Sequence, residues 1–345
     1  MLLVFAMAGA LWGLGWMMKT PVQARLLMIG LLFTAVLFVH VVLPDGHPLR
    51  VQTGGSAAPW LMIAAATGLV MLYRIGLSKL RGKAHSREGE VTDKKQLFSE
   101  AELNRYARHI VLREVGGPGQ KALKEASVLV IGAGGLGSPA LQYLAAAGVG
   151  TIGFVDNDQV DSANLHRQVI HKDAAIGMPK VFSAQVEMEA QNPFVVTRPY
   201  HRRLDTETAM SLFQEYDVIL DGTDNFETRY LVNQAAVAAK KPLISGALTQ
   251  WEGQISVFDP EKGTPCYCCI FPKAPDPSLA PPCSEAGVIG PLPGVIGTMM
   301  ALEAVKVITD AGQPLLGEML IYDGLYGETR KIKLNRRQDC AVCGS

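Results

Sequence analysis

The sequence has no surplus of charge of either sign, because its 345 residues include 32 lysines and arginines and 32 aspartates and glutamates. A protein that binds nucleic acid typically carries an excess of basic residues, so this balance argues against nucleic acid as a partner. The balance also argues against an acidic tail. No internal repeat is found along the chain, and a repeat architecture is therefore not expected.

Charged residues are scarce in the first 73 positions, where three apolar stretches follow one another at residues 1–18, 26–43 and 57–73. About twenty apolar residues cross a bilayer, so each stretch predicts a short transmembrane helix. The first stretch lacks the basic start of a signal peptide, and no clear A-x-A cleavage site precedes the second. Buried core helices are the alternative interpretation of these stretches.

The basic residues around the apolar stretches predict their orientation. Lys19 and Arg25 flank the first loop, the second loop carries only Arg50, and five basic residues follow the third stretch: Arg74, Lys79, Arg81, Lys83 and Arg87. Loops rich in lysine and arginine stay in the cytoplasm, so the N-terminus is expected outside and everything after residue 74 inside. Residues 1–77 are thus predicted to anchor a domain, residues 99–345, to the cytoplasmic face of the inner membrane. The polar residues 78–98 are predicted to be a linker.

Apolar strands alternate with helices from residue 99 onward. Ser99 and Glu102 have capping-box spacing at the start of a helix that runs to Ile110. Strands are predicted at residues 128–131, 151–155, 218–220 and 242–245, and helices at 139–147 and 226–239. This alternation predicts an α/β fold with a Rossmann-like, mostly parallel sheet and helices on both faces. Ligands bind beyond the carboxyl ends of such strands.

The stretch "GAGGLGS" follows the first predicted strand and matches the dinucleotide fingerprint, with Gly132, Gly134 and Gly137 at its glycine positions. Glycines let the backbone approach phosphate, and a helix N-terminus favours negative charge, so the pattern serves ATP as well as NAD. The basic residues Arg167 and Lys180 are typical of a site that neutralises a triphosphate. No hydride-transfer constellation is found. ATP is therefore preferred, and an NAD-dependent oxidoreductase is the alternative.

Four of the six cysteines form two C-x-x-C pairs, Cys266 with Cys269 and Cys340 with Cys343. This spacing is typical of zinc ligands, and cytoplasmic thiols bind metal more readily than they form disulfides. A site of four cysteines is closed, so a structural Zn²⁺ is predicted that ties the C-terminal tail to the domain. Cys268 could replace one ligand, although the spacing favours Cys266 and Cys269. Cys283 follows a proline-rich loop and is either functional or simply buried.

Several motifs in this region together resemble one family. The segments "RYAR" at residues 105–108, "VDNDQVDSANLHRQ", "IGMPK", "DGTDNFETRYLVN", "EGQISVF" and "CSEAGV", with the two C-x-x-C pairs, are similar to the HesA/MoeB/ThiF adenylyltransferases. The motifs occur in family order between Ser99 and Gly344. The resemblance does not extend to the first 98 residues.

The resemblance implies an enzyme that uses ATP and Mg²⁺ to adenylate the C-terminal glycine of a small ubiquitin-like sulfur-carrier protein. The molybdopterin carrier is the first candidate and the thiamine carrier the second. Because no rhodanese domain follows Gly344, the sulfur donor is expected to be a separate protein. A non-catalytic, membrane-tethered scaffold that binds the carrier is a further alternative, which the retained charged residues argue against.

The resemblance also implies roles for individual residues. Gly135 would lie against the phosphates and Asp156 would bind the ribose, while Gly134, Asp158 and Asn225 would complete the nucleotide site. The residues implied to act on the phosphates are Asn164, Arg167 and Lys180, which would stabilise phosphoryl charge, and Asp224, which would hold Mg²⁺. Arg108 would reach the γ-phosphate bound by a neighbouring subunit, which implies an obligate homodimer. Cys283 matches a position that in some members bonds covalently to the carrier or transfers sulfur.

Overall fold

A computed structural model describes residues 1–90, 97–275 and 286–344. The chain divides into two compact units, Met1–Lys95 and Gln96–Ser345.

The N-terminal unit is helical. Its helices are α1 (Leu2–Met17), α2 (Val22–Val42), α3 (Pro48–Thr53) and α4 (Ala58–Glu90). Trp60 packs against Phe5 and Phe33, with ring centroids 6.0 and 5.6 Å away. The helix α4 continues well beyond its apolar part, because no proline interrupts it after Pro59. Residues 78–90 of the predicted linker are therefore helical.

Two helices among the described residues are long and apolar enough to cross a membrane, α2 and a helix at Pro291–Thr309. The second belongs to the other unit, where Ile296, Met300 and Ala304 are buried, and it is a core helix there. The helix α1 and the apolar part of α4 are shorter. Length and composition alone are therefore weak support for three membrane spans.

The second unit is built on an eight-stranded sheet with the order β3-β2-β1-β4-β5-β6-β7-β8. Its strands are β1 (Ser127–Ile131), β2 (Thr151–Val155), β3 (Val196–Tyr200), β4 (Val218–Asp221), β5 (Leu243–Leu248), β6 (Glu252–Phe258), β7 (Glu318–Asp323) and β8 (Glu328–Lys333). Its helices are α5 (Glu100–Ile110), α6 (Gly116–Glu125), α7 (Gly137–Ala147), α8 (Lys180–Gln191), α9 (Thr206–Leu212), α10 (Phe226–Ala239), α11 (Tyr267–Ile270) and α12 (Pro291–Thr309).

The sheet is mixed rather than simply parallel. Neighbouring strands from β3 to β5 pair in parallel, whereas β5 to β8 pair antiparallel. Only three residues connect β5 to β6, which is too short for the crossover that a parallel pair needs, so the chain reverses there. The predicted Rossmann-like part is present in β1 to β5, and the antiparallel extension was not predicted.

Helices cover both faces of the sheet, as the alternating pattern predicts. In β1, Val128 and Val130 pack with α7, α8 and α12, whereas Leu129 and Ile131 pack with α9 and α10 on the opposite face. From β1 the chain adds β2 and β3 on one side and then returns to place β4 and β5 on the other side, so the order reverses at β1. Such a reversal opens a crevice at the carboxyl ends of the strands, where ligands bind.

Candidate functional site

The glycine-rich loop makes a tight turn from β1 into α7. Gly132 has φ +93°, a left-handed conformation that glycine adopts without strain. A Cβ on Gly137 would collide with the carbonyl oxygen of Gly132, so the helix approaches the loop closely enough to require glycine. The N-terminus of α7 therefore lies directly behind the loop, where its dipole favours an anion.

A cavity of about 820 Å³ opens at the carboxyl ends of β1, β2 and β4. This volume is in the range of small-molecule and cofactor sites. The cavity brings together most of the residues that the sequence predicts for the nucleotide: Gly134, Gly135, Asp156, Asp158, Arg167, Lys180, Asp224 and Asn225. Asn164 is the predicted member that does not line the cavity directly.

Asp156 lies at the end of β2 and is held by two backbone amides. Its Oδ2 accepts from Ala133 N and its Oδ1 from Asp158 N, each over 2.8 Å. Burial raises the pKa of this carboxyl above its usual value, while Lys180 and the two amides act in the opposite direction. The amide of Ala133 also joins the carboxylate to the glycine-rich loop, so the loop and the end of β2 are positioned together.

Two basic side chains are oriented by polar neighbours. Lys180 is almost fully buried at the start of α8, and its Nζ donates to Asp158 Oδ2 over 2.7 Å. Arg167 donates from Nη2 to Asn164 Oδ1, so Asn164 acts by orienting Arg167 in this arrangement. A buried lysine is stable only with a partner, and its position at the cavity supplies fixed positive charge.

Asp224 and Asn225 follow β4 and are both exposed. Asn225 caps α10, because its Oδ1 accepts from Thr228 N over 2.9 Å. That bond uses one of the two lone pairs of its side-chain oxygen, and the binding role predicted for Asn225 stays a prediction. Asp224 lines the cavity, and carboxylate oxygen is a ligand that Mg²⁺ prefers.

The loop that carries Asp224 is held by Arg229, to which the sequence pattern assigned no role. Arg229 is buried, and its guanidinium donates to Ser245 Oγ over 3.1 Å, to Gly246 O over 2.7 Å and to Thr223 O. It also lies 3.4 Å from Asp221 Oδ2. This arginine therefore joins the ends of β4 and β5 to the start of α10.

His171 supports the glycine-rich loop and was not predicted either. Its Nε2 lies 2.9 Å from Ala133 O and its Nδ1 lies 3.0 Å from Ser183 Oγ. Burial lowers the pKa of His171 below its usual value, so the ring is neutral at pH 7. The neutral ring donates from Nε2 to the loop carbonyl and accepts at Nδ1 from the serine hydroxyl.

Arg108 is exposed on α5 and does not line the cavity of its own chain. Its neighbour Arg105 is used locally, because Nη1 donates to Gln191 O over 2.7 Å and the guanidinium lies over the Phe194 ring. The role predicted for Arg108 thus requires a second subunit. Cys283 lies outside the described residues.

Four buried thiols form the candidate metal centre. The Sγ atoms of Cys266, Cys269, Cys340 and Cys343 all lie within 4.8 Å of one another, with separations of 3.6 Å between Cys266 and Cys340 and 3.4 Å between Cys269 and Cys343. Tetrahedral Zn²⁺ with bonds of about 2.3 Å would place sulfur atoms about 3.8 Å apart. The donor set and spacing therefore fit zinc, and the site would join α11 to the C-terminal tail.

Cys268 is not part of this cluster. Its Sγ accepts from Asn233 Nδ2 over 3.3 Å. Burial raises the pKa of the cluster thiol of Cys269 to about 12. A metal ion would replace that proton, because zinc binds thiolate rather than thiol.

The sequence matches the ThiF family over residues 106–342. The chain belongs to this family. A sulfur carrier protein adenylyltransferase from Thermus thermophilus is 49% identical over 252 residues, which are 72% of this chain and 93% of that protein. An adenylyltransferase and sulfurtransferase MOCS3 from Anopheles gambiae is 46% identical over 243 residues, 70% of this chain and 55% of that relative.

Solved structures resemble this ThiF-family chain as well. Escherichia coli MccB with ATP superposes with a TM-score of 0.62 at 25% identity, covering 72% of this chain and 76% of MccB. PaaA superposes with a TM-score of 0.61 at 20% identity, which shows the fold alone. With these relatives, the chain is an adenylyltransferase that uses ATP, and the sequence-based preference for ATP over NAD is confirmed.

Proposed function

We propose that this ThiF-family enzyme adenylates the C-terminal glycine of a small ubiquitin-like sulfur-carrier protein, and that the carrier is the small subunit of molybdopterin synthase. The observation that carries the proposal is the cavity at the strand reversal, where a glycine-rich loop, two oriented cations and an exposed carboxylate converge. The name of the Thermus thermophilus relative supports a sulfur carrier as the substrate class.

In the proposed reaction, a carboxylate oxygen of the carrier attacks the α-phosphorus of ATP. A bond forms between that oxygen and phosphorus, the bond to the bridging oxygen breaks, and pyrophosphate leaves with its electron pair. Asp156 binds ribose hydroxyls, and Lys180 and Arg167 stabilise the charge on the phosphoryl oxygens. Mg²⁺, when bound at Asp224, supplies further charge neutralisation and orients the phosphates.

ATP–pyrophosphate exchange against a panel of purified carriers tests this function. We expect exchange with the molybdopterin carrier at a rate at least about tenfold above that with the thiamine carrier, which corresponds to a difference of about 1.4 kcal/mol in the free energy of the carrier contacts. A carrier truncated at its terminal glycine is the control and should be inactive. Exchange with the thiamine carrier alone would reassign the substrate. If none of the carriers supported exchange, the proposal would be rejected.

We further propose that the enzyme is a homodimer in which Arg108 acts on the nucleotide bound by its partner. Arg108 is exposed on α5 and separate from its own cavity. An isologous interface would give two equal sites, each completed by an arginine from the other chain. A charge-assisted contact from arginine to the triphosphate would be stronger than a neutral hydrogen bond.

Mixing Arg108→Ala chains with Asp224→Ala chains tests the action across the interface. One site of the mixed dimer would carry both changes and the other neither, so exchange should return to about half of the wild-type rate per heterodimer. Mixing Lys180→Ala with Asp224→Ala is the control, because every site then keeps one change and should stay inactive. A mixture of Arg108→Ala and Asp224→Ala that forms heterodimers without activity would mean that Arg108 acts in its own subunit.

The N-terminal unit is proposed to anchor the enzyme in the inner membrane, with the adenylyltransferase in the cytoplasm. Large apolar side chains on its helices are exposed, among them Trp16, Leu31, Phe38 and Leu69. Exposed apolar side chains in this number support a membrane or protein contact. A reporter fused after Arg87 should be active only in the cytoplasm, and one near Gly54 only outside. The same location for both fusions would contradict three spans.

Two further roles complete the proposal. A separate protein supplies sulfur to the adenylated carrier. Cys283 bonds to the carrier, its thiolate displacing AMP from the adenylated glycine, or transfers that sulfur. Trapping of a carrier adduct that is lost in Cys283→Ser would support this role, and an adduct that persists in the variant would contradict it.

A further inference from the structure

The short helix α11 takes part in both the candidate metal centre and the wall of the cavity. Cys266 precedes the helix and Cys269 lies within it, so two of the four metal-site thiols are at α11. Tyr267, which begins the helix, and Phe271, which follows it, both line the cavity. Whatever fixes the position of α11 therefore also fixes two aromatic residues at the cavity.

These two aromatic residues, here called the aromatic wall, pack with residues of α10 and β6. The ring centroid of Tyr267 lies 4.9 Å from that of Phe271, 5.5 Å from that of Tyr230 and 6.0 Å from that of Phe258. Such spacings are typical of favourable aromatic pairs. Tyr230 Oη also donates to Phe271 O over 2.8 Å. The position of the aromatic wall is thus set by its neighbours.

The backbone of α11 is held by one buried side chain of α10. Asn233 is fully buried, its Oδ1 accepts from Tyr267 N over 2.9 Å, and its Nδ2 donates to Cys268 Sγ over 3.3 Å. The first N–H groups of a helix have no partner within it, so the bond to Tyr267 N satisfies a group that burial would otherwise leave unpaired. Asn233 lies about one turn of α10 after Arg229, which joins the ends of β4 and β5. One stretch of α10 thus supports both those strand ends and the aromatic wall.

The location of the aromatic wall favours the carrier over ATP as its ligand. The groups assigned to the nucleotide follow β1 and β2, whereas the wall packs against Phe258 of β6. In the sheet, β4 and β5 lie between β1 and β6, and strands about 4.8 Å apart put β6 about 14 Å from β1. The proposed reaction needs the terminal glycine of the carrier in the same cavity. Glycine has no side chain to obstruct close contact between its backbone and aromatic rings.

We propose that Asn233 is a positioning residue, which holds α11 so that Tyr267 and Phe271 bind the C-terminal tail of the carrier protein. The proposal rests on the proposed function and assigns the tail a place in the cavity. Asn233 itself does not line the cavity, so it acts only through α11. Loss of its two bonds therefore weakens the binding of the carrier and leaves the binding of ATP unchanged. A metal ion at the four thiols would be a second support of the same helix.

The test compares the dissociation constants of ATP and of the carrier, each titrated alone into the full-length protein and its Asn233→Leu variant. The carrier is the molybdopterin or the thiamine carrier, whichever supports exchange. Leucine has nearly the shape of asparagine but makes neither hydrogen bond. We expect the dissociation constant of the carrier to rise about tenfold and that of ATP to stay unchanged. The zinc content should equal that of the wild type, since neither Tyr267 nor Cys268 belongs to the four-thiol cluster.

Three further variants separate positioning from general damage. In Asn233→Asp, burial favours the protonated carboxyl, which can accept from Tyr267 N and donate to Cys268 Sγ, so carrier binding should return to within about threefold of the wild type. Phe271→Leu changes the aromatic wall itself and should weaken the carrier as Asn233→Leu does. Gln120→Met is the matched control, because Gln120 is an equally buried carboxamide with both ends paired. It should lower the unfolding temperature and change neither dissociation constant.

An unchanged carrier constant in folded Asn233→Leu would overturn the proposal, and so would equal weakening of the carrier and ATP. If Asn233→Leu does not fold, Phe271→Leu decides on the same two ligands, and carrier binding at the wild-type level would then reject the aromatic wall. A wild-type protein that binds no carrier would reject the proposed function and this inference together. Carrier binding by the wild type that neither variant changes would overturn this inference alone.

Discussion

Asp224→Ala should reduce carrier-dependent ATP–pyrophosphate exchange by at least about 100-fold, the size of effect seen when one preorganised charge-stabilising group is removed from an active site. Asp224 is an exposed acidic residue that follows β4 and lines the cavity, and its loss removes the proposed ligand of Mg²⁺. The fold should survive, because substitutions at exposed positions usually change the free energy of unfolding by less than about 0.5 kcal/mol.

The measurement is the exchange rate as a function of Mg²⁺ concentration, with thermal unfolding of the same preparation. Asp173→Ala is the matched control, since Asp173 is also exposed but does not line the cavity, and it should keep the wild-type rate. Asp224→Asn should be as impaired as the alanine variant if the charge of the carboxylate matters. A folded Asp224→Ala protein that exchanges pyrophosphate at the wild-type rate would show that Asp224 has no role in the reaction.

Cys340→Ser should release zinc and detach the C-terminal tail. The four thiols join α11 to residues 340–343, so a metal ion would cross-link segments that are far apart in the sequence. Binding of a structural zinc contributes on the order of 10 kcal/mol in small domains, and here it adds to an independent core. We therefore expect the zinc content to fall from one ion per chain to well below that, and the unfolding temperature to fall by on the order of 20 °C.

Cys268→Ser provides the control for this experiment. Cys268 is equally buried and adjacent in sequence, but its Sγ accepts from Asn233 instead of joining the cluster. Elemental analysis should find the wild-type zinc content in Cys268→Ser and little zinc in Cys340→Ser. Wild-type protein without zinc, or equal losses in both variants, would contradict the four-cysteine site.

Features whose physical cause is local in the chain could be predicted from the sequence alone. The turn from β1 to α7 depends on Gly132, which adopts a positive φ, and on Gly137, which allows close packing. The capping box is similarly local, with Ser99 N donating to Glu102 Oε2 over 2.8 Å. The C-x-x-C spacing places two thiols on one short turn, so each pair of ligands in the candidate metal centre could also be predicted from the sequence.

Features that depend on contacts between distant segments became visible only in the folded structure. The strand β8 is exposed along its whole length, so its sequence lacks the apolar alternation that would predict a strand. It forms by pairing with β7. Glutamine and arginine are usually exposed, and nothing near Gln168 or Arg229 in the sequence signals their burial. The partners of Arg229 at Ser245 and Gly246 belong to β5, and Gln168 meets Gly134 only after β1 and the segment before α8 pack together. Side-chain burial is a property of that packing, which no local pattern of residues specifies.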